Sequence, residues 1–590
     1  MKKINLIILS MLLLFTFLSC SNDNSSLIQE YLIQQMISNS KNSSSSSKLL
    51  LTPYTSISGT SYKTSVATSA SQTYNSDDLV ENTTFAYTVS IDLTNMGASC
   101  NGTSFTISST DQTLLSDTIT INSSNGITIT STYNGYIKYS LTGNLNGTFK
   151  IAASDKKYAI ELNNTTISAT DGPALNLSSK KRTFIIIPAN TTNTLSDSTS
   201  RTTDTSKAAI FSKGQLIFTG STSSAEGGTL TVNASYKHGI YSNDYVRFQN
   251  ATFNINSSSR DCIRSVNRII IDDGTFAING TGTTQDDESK GIKVEGEESE
   301  DGKGLGDIVI NGGRIDINTV SKGITAAFDS DEDGDTSSTT YDPAATVTIN
   351  HGYITVTTTG TPYEGDGISL SPEGIEGKGG LTINDGYIVI NSTDDCINVS
   401  NSKNLTINNG YVYCYSSNND AIDSNGNLYL NGGVIVATGT TTPECAFDCD
   451  NNTFGVTGGI LIGLGTSNYS SPTSSATTQN TIQASSSSIT AIQTFAICNS
   501  SGTPVFAYTI PCYYDVAILS SPLLTNGTYT LVNGVTIDNK DSVFYGLYTD
   551  PSAVSISGGT SSSFTISGNI TTIGTISNNG PQEGTPGRPF

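Results

Sequence analysis

The sequence predicts an all-β chain wound as a parallel β-helix, a solenoid, with a β-rich segment capping its C-terminal side. Three observations carry that expectation. The 590 residues are rich in Ser, Thr, Asn and Gly, contain no Trp, and space Ile, Val and Leu regularly. This suits short strands better than helices. One phrase then recurs, as in "LTINDGYIVINSTDDCI" (381–397) and "LTINNGYVYCYSSNNDAI" (405–422). Each copy, about 23 to 44 residues long, is too small to bury its own apolar face. Copies must therefore stack, as rungs about 4.8 Å apart.

The elements follow in chain order. Residues 1–19 read as a lipoprotein signal peptide: Lys2 and Lys3 precede the apolar run Ile4 to Leu18, and "FLSC" resembles a lipobox with Cys20 as the lipidated residue. Ordinary cleavage beside a stray Cys is the alternative. Residues 20–85 are a Ser/Asn-rich tether, and 86–200 an N-terminal β region with the first rungs. Residues 201–465 form the main parallel β-helix, 466–575 a β-rich C-terminal segment, and 576–590 a flexible tail.

Within each unit the first strand centres on Ile240, Ile263, Ile292, Ile324, Ile368, Ile397 or Ile422, each after Gly, Cys or Ala. A second strand ends in a polar residue and a Gly, as in Asn311/Gly313, Asn350/Gly352, Asn384/Gly386, Asn408/Gly410 and Asn431/Gly433. A third strand follows at once. The Asn column reads as structural, since Asn accepts turn geometry and can bond to its own copy on the next rung. Period-2 alternation points Ile388 and Ile390 inward and Tyr387 outward.

A formal net charge of −22 argues against nucleic acid and favours divalent cations. The 9 Cys are irregularly spaced. Cys262 and Cys396 stand where other rungs have Gly or Ala, as small buried residues would. Cys445 and Cys449 form a close pair but lack the partners of a zinc site.

The phrases "KAAIFSKGQLIFTG", "GTLTVNASYKHGIYSND", "SKGIKVEG" and the "LTINxGYxxI" units, with the late "YDVAILSSPLLTNGTYTLVNG", resemble a bacterial family of exported carbohydrate-binding β-helix proteins. The resemblance runs from roughly residue 115 to 540. It implies a right-handed parallel β-helix, binding of cellulose or acidic pectin-type polysaccharide, bound calcium, and a shape similar to one group of pectate lyases. It brings no short catalytic motif.

Several constellations are candidates for chemistry. Asp261, Asp366, Asp395 and Asp420 stand just before the inward Ile of their rungs, with Asp394, Asp423, Asp448 and Asp450 nearby. Carboxylates stacked at rung spacing repel, and calcium, which takes 6–8 oxygen ligands, would relieve them. Asp394, Asp395, Asp420 and Asp423 form the main calcium candidate; the alternative is that each Asp caps its local turn. "DSDEDGD" (329–335) places Asp329, Asp331 and Asp333 as in the first half of an EF-hand loop. Its twelfth position is Thr340, so it is a different calcium loop or an acidic insertion. Tyr353, Tyr387 and Tyr411 form an outward ladder that would stack on sugar rings or on one another. Arg314 and Lys293, read as outward, would hold a uronate carboxylate.

His238 and His351 support no Ser-His-Asp triad. A calcium-dependent lyase would need a basic side chain, and Lys290 and Lys322, in the Asp column, are the weak candidates; the alternative is that they are solvated or paired with nearby acids. The expected function is a membrane-anchored, monomeric, calcium-dependent polysaccharide-binding protein on the cell surface or periplasmic face, not an enzyme. A pectate lyase and a structural adhesin without glycan binding are the alternatives.

Overall fold

The computed structural model describes residues 75–576 except 117, 124–125, 203, 205, 283–288, 296–305, 328–344, 366–367, 440–443, 467–468 and 539–542. The signal peptide, Cys20, Asp329, Asp331, Asp333 and Asp366 lie outside the described residues. Among the described residues the chain is all-β, with no α-helix.

Three parallel ladders run through the repeat region. First strands form a 13-stranded sheet in which His238–Ser242, Ile263–Ser265, Ile292–Val294, Ile324–Ala326, Ile375–Gly377, Ile397–Val399 and Ile422–Ser424 succeed one another. Second strands pair likewise, as Leu405–Ile407 does with Leu428–Leu430, and third strands as Tyr387–Ser392 does with Tyr411–Ser416. The second and third ladders share a 28-stranded sheet, because the long strand Tyr158–Ser168 pairs with both Thr183–Ile186 and Thr192–Ser196.

In-register pairing turns the sequence alternation into columns. Ile315, Ile354, Ile388, Val412 and Ile435 stand above one another and are fully buried. β-Branched side chains suit such a column because they are stiff and pack well on a pleated surface. The Asn column forms as expected. Each Nδ2 donates to the Oδ1 of the preceding rung: Asn350 to Asn311 (2.8 Å), Asn384 to Asn350 (2.8 Å), Asn408 to Asn384 (2.9 Å) and Asn431 to Asn408 (2.9 Å). The turn after each Asn needs a Gly; Gly386 has φ 127°, and a Cβ there would meet the Gly352 carbonyl oxygen at 3.0 Å.

Two expectations are corrected. The rung between Ile324 and Ile397 is built on Ile375, not Ile368, which lies in the hairpin Tyr363–Gly365/Ile368–Leu370. Nine residues separate Ile375 from its turn residue Asn384, the same interval as from Ile422 to Asn431. The Ile368 assignment breaks that interval. The tether is also shorter than residue 85, because Asp78 is buried and its carboxylate meets Arg182 (3.0 Å) and Arg247 (3.1 Å) on the second ladder.

The C-terminal segment does more than end the ladders. Val516–Ser520 pairs antiparallel with both Ile460–Gly465 and Thr481–Ser485, and Phe544 and Tyr545 fold back onto the outer face of the third ladder.

Because Ile375 is fully buried, Ile375→Ala is expected to cost about 2–5 kcal/mol in denaturant unfolding. A change within about 0.5 kcal/mol would count against its place in the core column.

Candidate functional site

The first ladder sorts polar side chains into two rows. One residue after each inward position stand Tyr241, Arg264, Lys293, Thr325, Glu376, Asn398 and Asp423. Two residues before it stand His238, Asp261, Lys290, Lys322, Glu373, Asp395 and Asp420. Glu373 and Glu376 enter only through the Ile375 register, so the sequence reading missed both.

Charge changes along these rows. At the N-terminal side, Asp261 lies 3.1 Å from Arg264 and 3.4 Å from His238, and Arg264 reaches Glu295 at 2.6 Å. Burial would raise the Asp261 carboxyl, but the cationic Arg264 beside it, together with Lys290 and Lys293, outweighs it and holds it far below the usual carboxylate range. Burial keeps His238 neutral. In the middle, Lys322 pairs with Glu373 (2.7 Å) and Glu376 (3.3 Å), and Thr325 donates to Glu376 (2.7 Å). Burial would lower the Lys322 ammonium, but the two glutamates outweigh it and hold it charged.

Further along, among the described residues, no ion pair answers Asp395, Asp420 or Asp423 in this way. Asp394, Asp395 and Asp420 are buried and Asp423 is half-buried. Asp395 Oδ1 accepts from the Asp420 N–H (2.9 Å), and Asp420 Oδ1 accepts from the Cys445 N–H. Asp394 accepts from Asn419 (2.6 Å), and Asp448 from Ser470 (2.7 Å). Burial first, and neighbouring carboxylates second, push Asp395, Asp420 and Asp423 well above the usual carboxylate range. Donor atoms of Asp420, Cys445 and Asp448 lie within 4.8 Å of one another. The Cys445 thiol points its hydrogen at the Phe447 carbonyl (3.2 Å) and is pushed up by burial, so the donors suited to a cation here are carboxylate oxygens. That set fits a hard ion such as calcium. Oδ1 of Asp395 and of Asp420 holds the backbone of the next rung rather than its own local turn, while the neighbouring carboxylates still repel.

Other candidates fare differently. Lys322 is corrected: its ion pairs keep it protonated, which a general base cannot be. Lys290 is half-buried in the same row. Lys293 stands in the outward row, as expected, but is buried there, at 3% exposure. It lies on the first ladder, whereas Arg314 lies on the third, bonded to Asp316 (2.8 Å) with its guanidinium 4.9 Å from the Tyr353 ring.

Tyr353, Tyr387 and Tyr411 do stack, at 5.0 and 6.1 Å between centroids. Phe544 then packs edge-on against Tyr387 (5.6 Å) and Tyr411 (5.4 Å), leaving Tyr387 4% exposed. The middle ring of the expected sugar platform is therefore covered. Phe544 is more than 130 residues downstream of Tyr411, and no local pattern announces the contact.

A family model described as carbohydrate-binding domain-containing protein matches residues 123–420. The chain belongs to this carbohydrate-binding family. The matched span includes the first-ladder rows up to Asp420. No curated protein matches the chain. A solved structure of a polysaccharide lyase-like protein from C. thermocellum, in a gadolinium derivative, is similar over 64% of this chain and 93% of that one, with 15% identity and a TM-score of 0.26.

The carboxylate cluster sets a pH dependence. Asp395, Asp420 and Asp423 hold protons more tightly in the folded chain than in the unfolded one. Above the ordinary Asp pKa of about 3.9 the folded state binds more protons, so stability falls as pH rises. In chelator, Tm is expected to decline from about pH 4 towards neutrality, and Asp420→Asn to flatten that decline. A chelated Tm that rises over the same range would refute the repulsion.

Proposed function

We propose that this carbohydrate-binding chain is a lipid-anchored, calcium-dependent binding protein for acidic, pectin-type or cellulosic polysaccharide. In this reading the three ladders close as a right-handed parallel β-helix, the hand that parallel crossovers overwhelmingly adopt. Cys20 would carry the lipid and fix the protein at a membrane surface, with the remainder exported.

The observation that carries the reading is the unbalanced carboxylate cluster at Asp394, Asp395, Asp420, Asp423 and Asp448. These residues would hold calcium, and calcium there would offer its remaining coordination positions to carboxylates of the polymer. That supplies attraction between an acidic protein and an acidic chain. It is also an economical reason to keep buried like charges in adjacent rungs, which otherwise destabilise the fold.

The test mixes the full chain, in mild detergent, with polygalacturonate in calcium or in chelator. Retention and the ultraviolet absorbance of unsaturated uronides are followed together. Calcium-dependent retention without new absorbance is expected, and Asp395→Asn/Asp420→Asn is expected to weaken it about tenfold or more. Rising absorbance would make the protein a lyase; retention indifferent to calcium would defeat the calcium bridge. For the anchor, Cys20→Ala is expected to move the protein out of the membrane fraction, and an unchanged distribution would rule out lipidation there.

A further inference from the structure

The N-terminal part of the first ladder's outer face is chemically unlike the acidic end. Its row runs Lys150, Asn176, Phe211, Tyr241. Phe211 and Tyr241 stack with centroids 5.9 Å apart and planes 8° from parallel. Tyr241 thus covers one face of Phe211, and the other face is turned to the preceding rung. There the row drops from an aromatic ring to the much smaller Asn176. That step opens a groove of about 430 Å³, edged by Lys150, Lys207 and Lys213 and including Asp204.

The groove floor is polar and fixed. Asn176 is 2% exposed; its Nδ2 donates to Asp204 and to Ser206 Oγ (3.3 Å), and its Oδ1 accepts from Ser178 (2.7 Å). Asp204 also accepts from the Ser206 N–H (3.0 Å) and hydroxyl (2.6 Å). An apolar ring wall, a carboxylate pinned by a buried amide, and the ammonium groups of Lys150 and Lys213 on the groove edge are distinct demands on a ligand. A sugar ring meets the wall with its C–H face and Asp204, which the Asn176 amide holds in place, with its hydroxyls. The lysine excess selects a sugar that carries a carboxylate.

We propose that this groove is a second, calcium-independent subsite that takes a uronate residue, its carboxylate held by Lys150 and Lys213 and its ring against Phe211. The ligand class rests on the acidic-glycan reading above. The subsite belongs to the same outer face as the carboxylate cluster, so one polyuronate could be gripped directly at one end and through calcium at the other.

The test is calorimetric titration of the full chain, in mild detergent and excess chelator, with trigalacturonate. Binding is expected, weakening as salt rises. Lys150→Met/Lys213→Met is expected to weaken it about tenfold or more, and Lys150→Arg/Lys213→Arg to retain it. Circular dichroism of the Met variant checks that it folds. No binding by the wild type in chelator, equal binding by the Met variant, or equal binding of an uncharged galactose trimer would each overturn the subsite. Calcium-dependent retention of long polygalacturonate reports on Asp395 and Asp420 instead. Chelator-resistant binding without that retention would overturn the calcium bridge and support the groove; the reverse would overturn the groove alone.

Discussion

In-register stacking is the constraint on which everything else in this chain depends. A side chain in a parallel ladder meets the side chain at the same position one rung away, about 4.8 Å distant. A position must therefore be compatible with its own copy. Asn satisfies this, because its amide both donates and accepts, and the column from Asn311 to Asn431 is hydrogen-bonded throughout. Isoleucine satisfies it by packing. Ionised aspartate does not, since it only accepts and carries charge. The same rule that makes the Asn column self-sufficient makes the Asp395–Asp420 column incomplete without protons or a cation.

The chain resolves that conflict differently along one face. At Asp261 it interposes Arg264, and at Glu373 and Glu376 it interposes Lys322. Beyond Asp394 it places further carboxylates, at Asp420, Asp423 and Asp448; burial first, and these neighbours second, raise the proton affinity of Asp395, Asp420 and Asp423. A fold needing only stability could have repeated the Lys322 solution, since salt-bridged partners were already in use two rungs away. Retaining the unbalanced version is intelligible if something other than a side chain supplies the positive charge.

How much of this was legible in the sequence depended on the range of the contact. Rung length, the Asn column and the inward Ile positions are written in local spacing, and they reappear in the register. Ile368 deceived because "GDGI" and "EGI" both offer a Gly–Ile pair within a few residues, and only the distance to Asn384 separates them. Choosing the wrong pair hid Glu373 and Glu376 and left Lys322 looking like a base. The burial of Lys293 and the covering of Tyr387 by Phe544 arise from partners distant in sequence, where alternation gives direction but not exposure.

That last contact also bears on how carbohydrate is recognised. A flat glycan needs an uninterrupted aromatic platform, and the Tyr353–Tyr387–Tyr411 stack is interrupted at its centre by Phe544, with Tyr545 stacked on Tyr413 beside it. Tyr353, Tyr387, Tyr413 and Tyr545 join the C-terminal segment to the third ladder through one shared apolar cluster. On the second ladder, Asp78 likewise ties the N-terminal turns to Arg182 and Arg247. Both terminal segments thus spend polar and aromatic surface on fastening the ladders. The charged rows of the first ladder are where carboxylates, ammonium groups and a fixed amide remain arranged by the rungs themselves, so in the proposed function recognition there would be governed by charge before ring stacking. A ligand that carries a carboxylate on successive sugars matches that order, because its charges repeat along the chain as the rungs do.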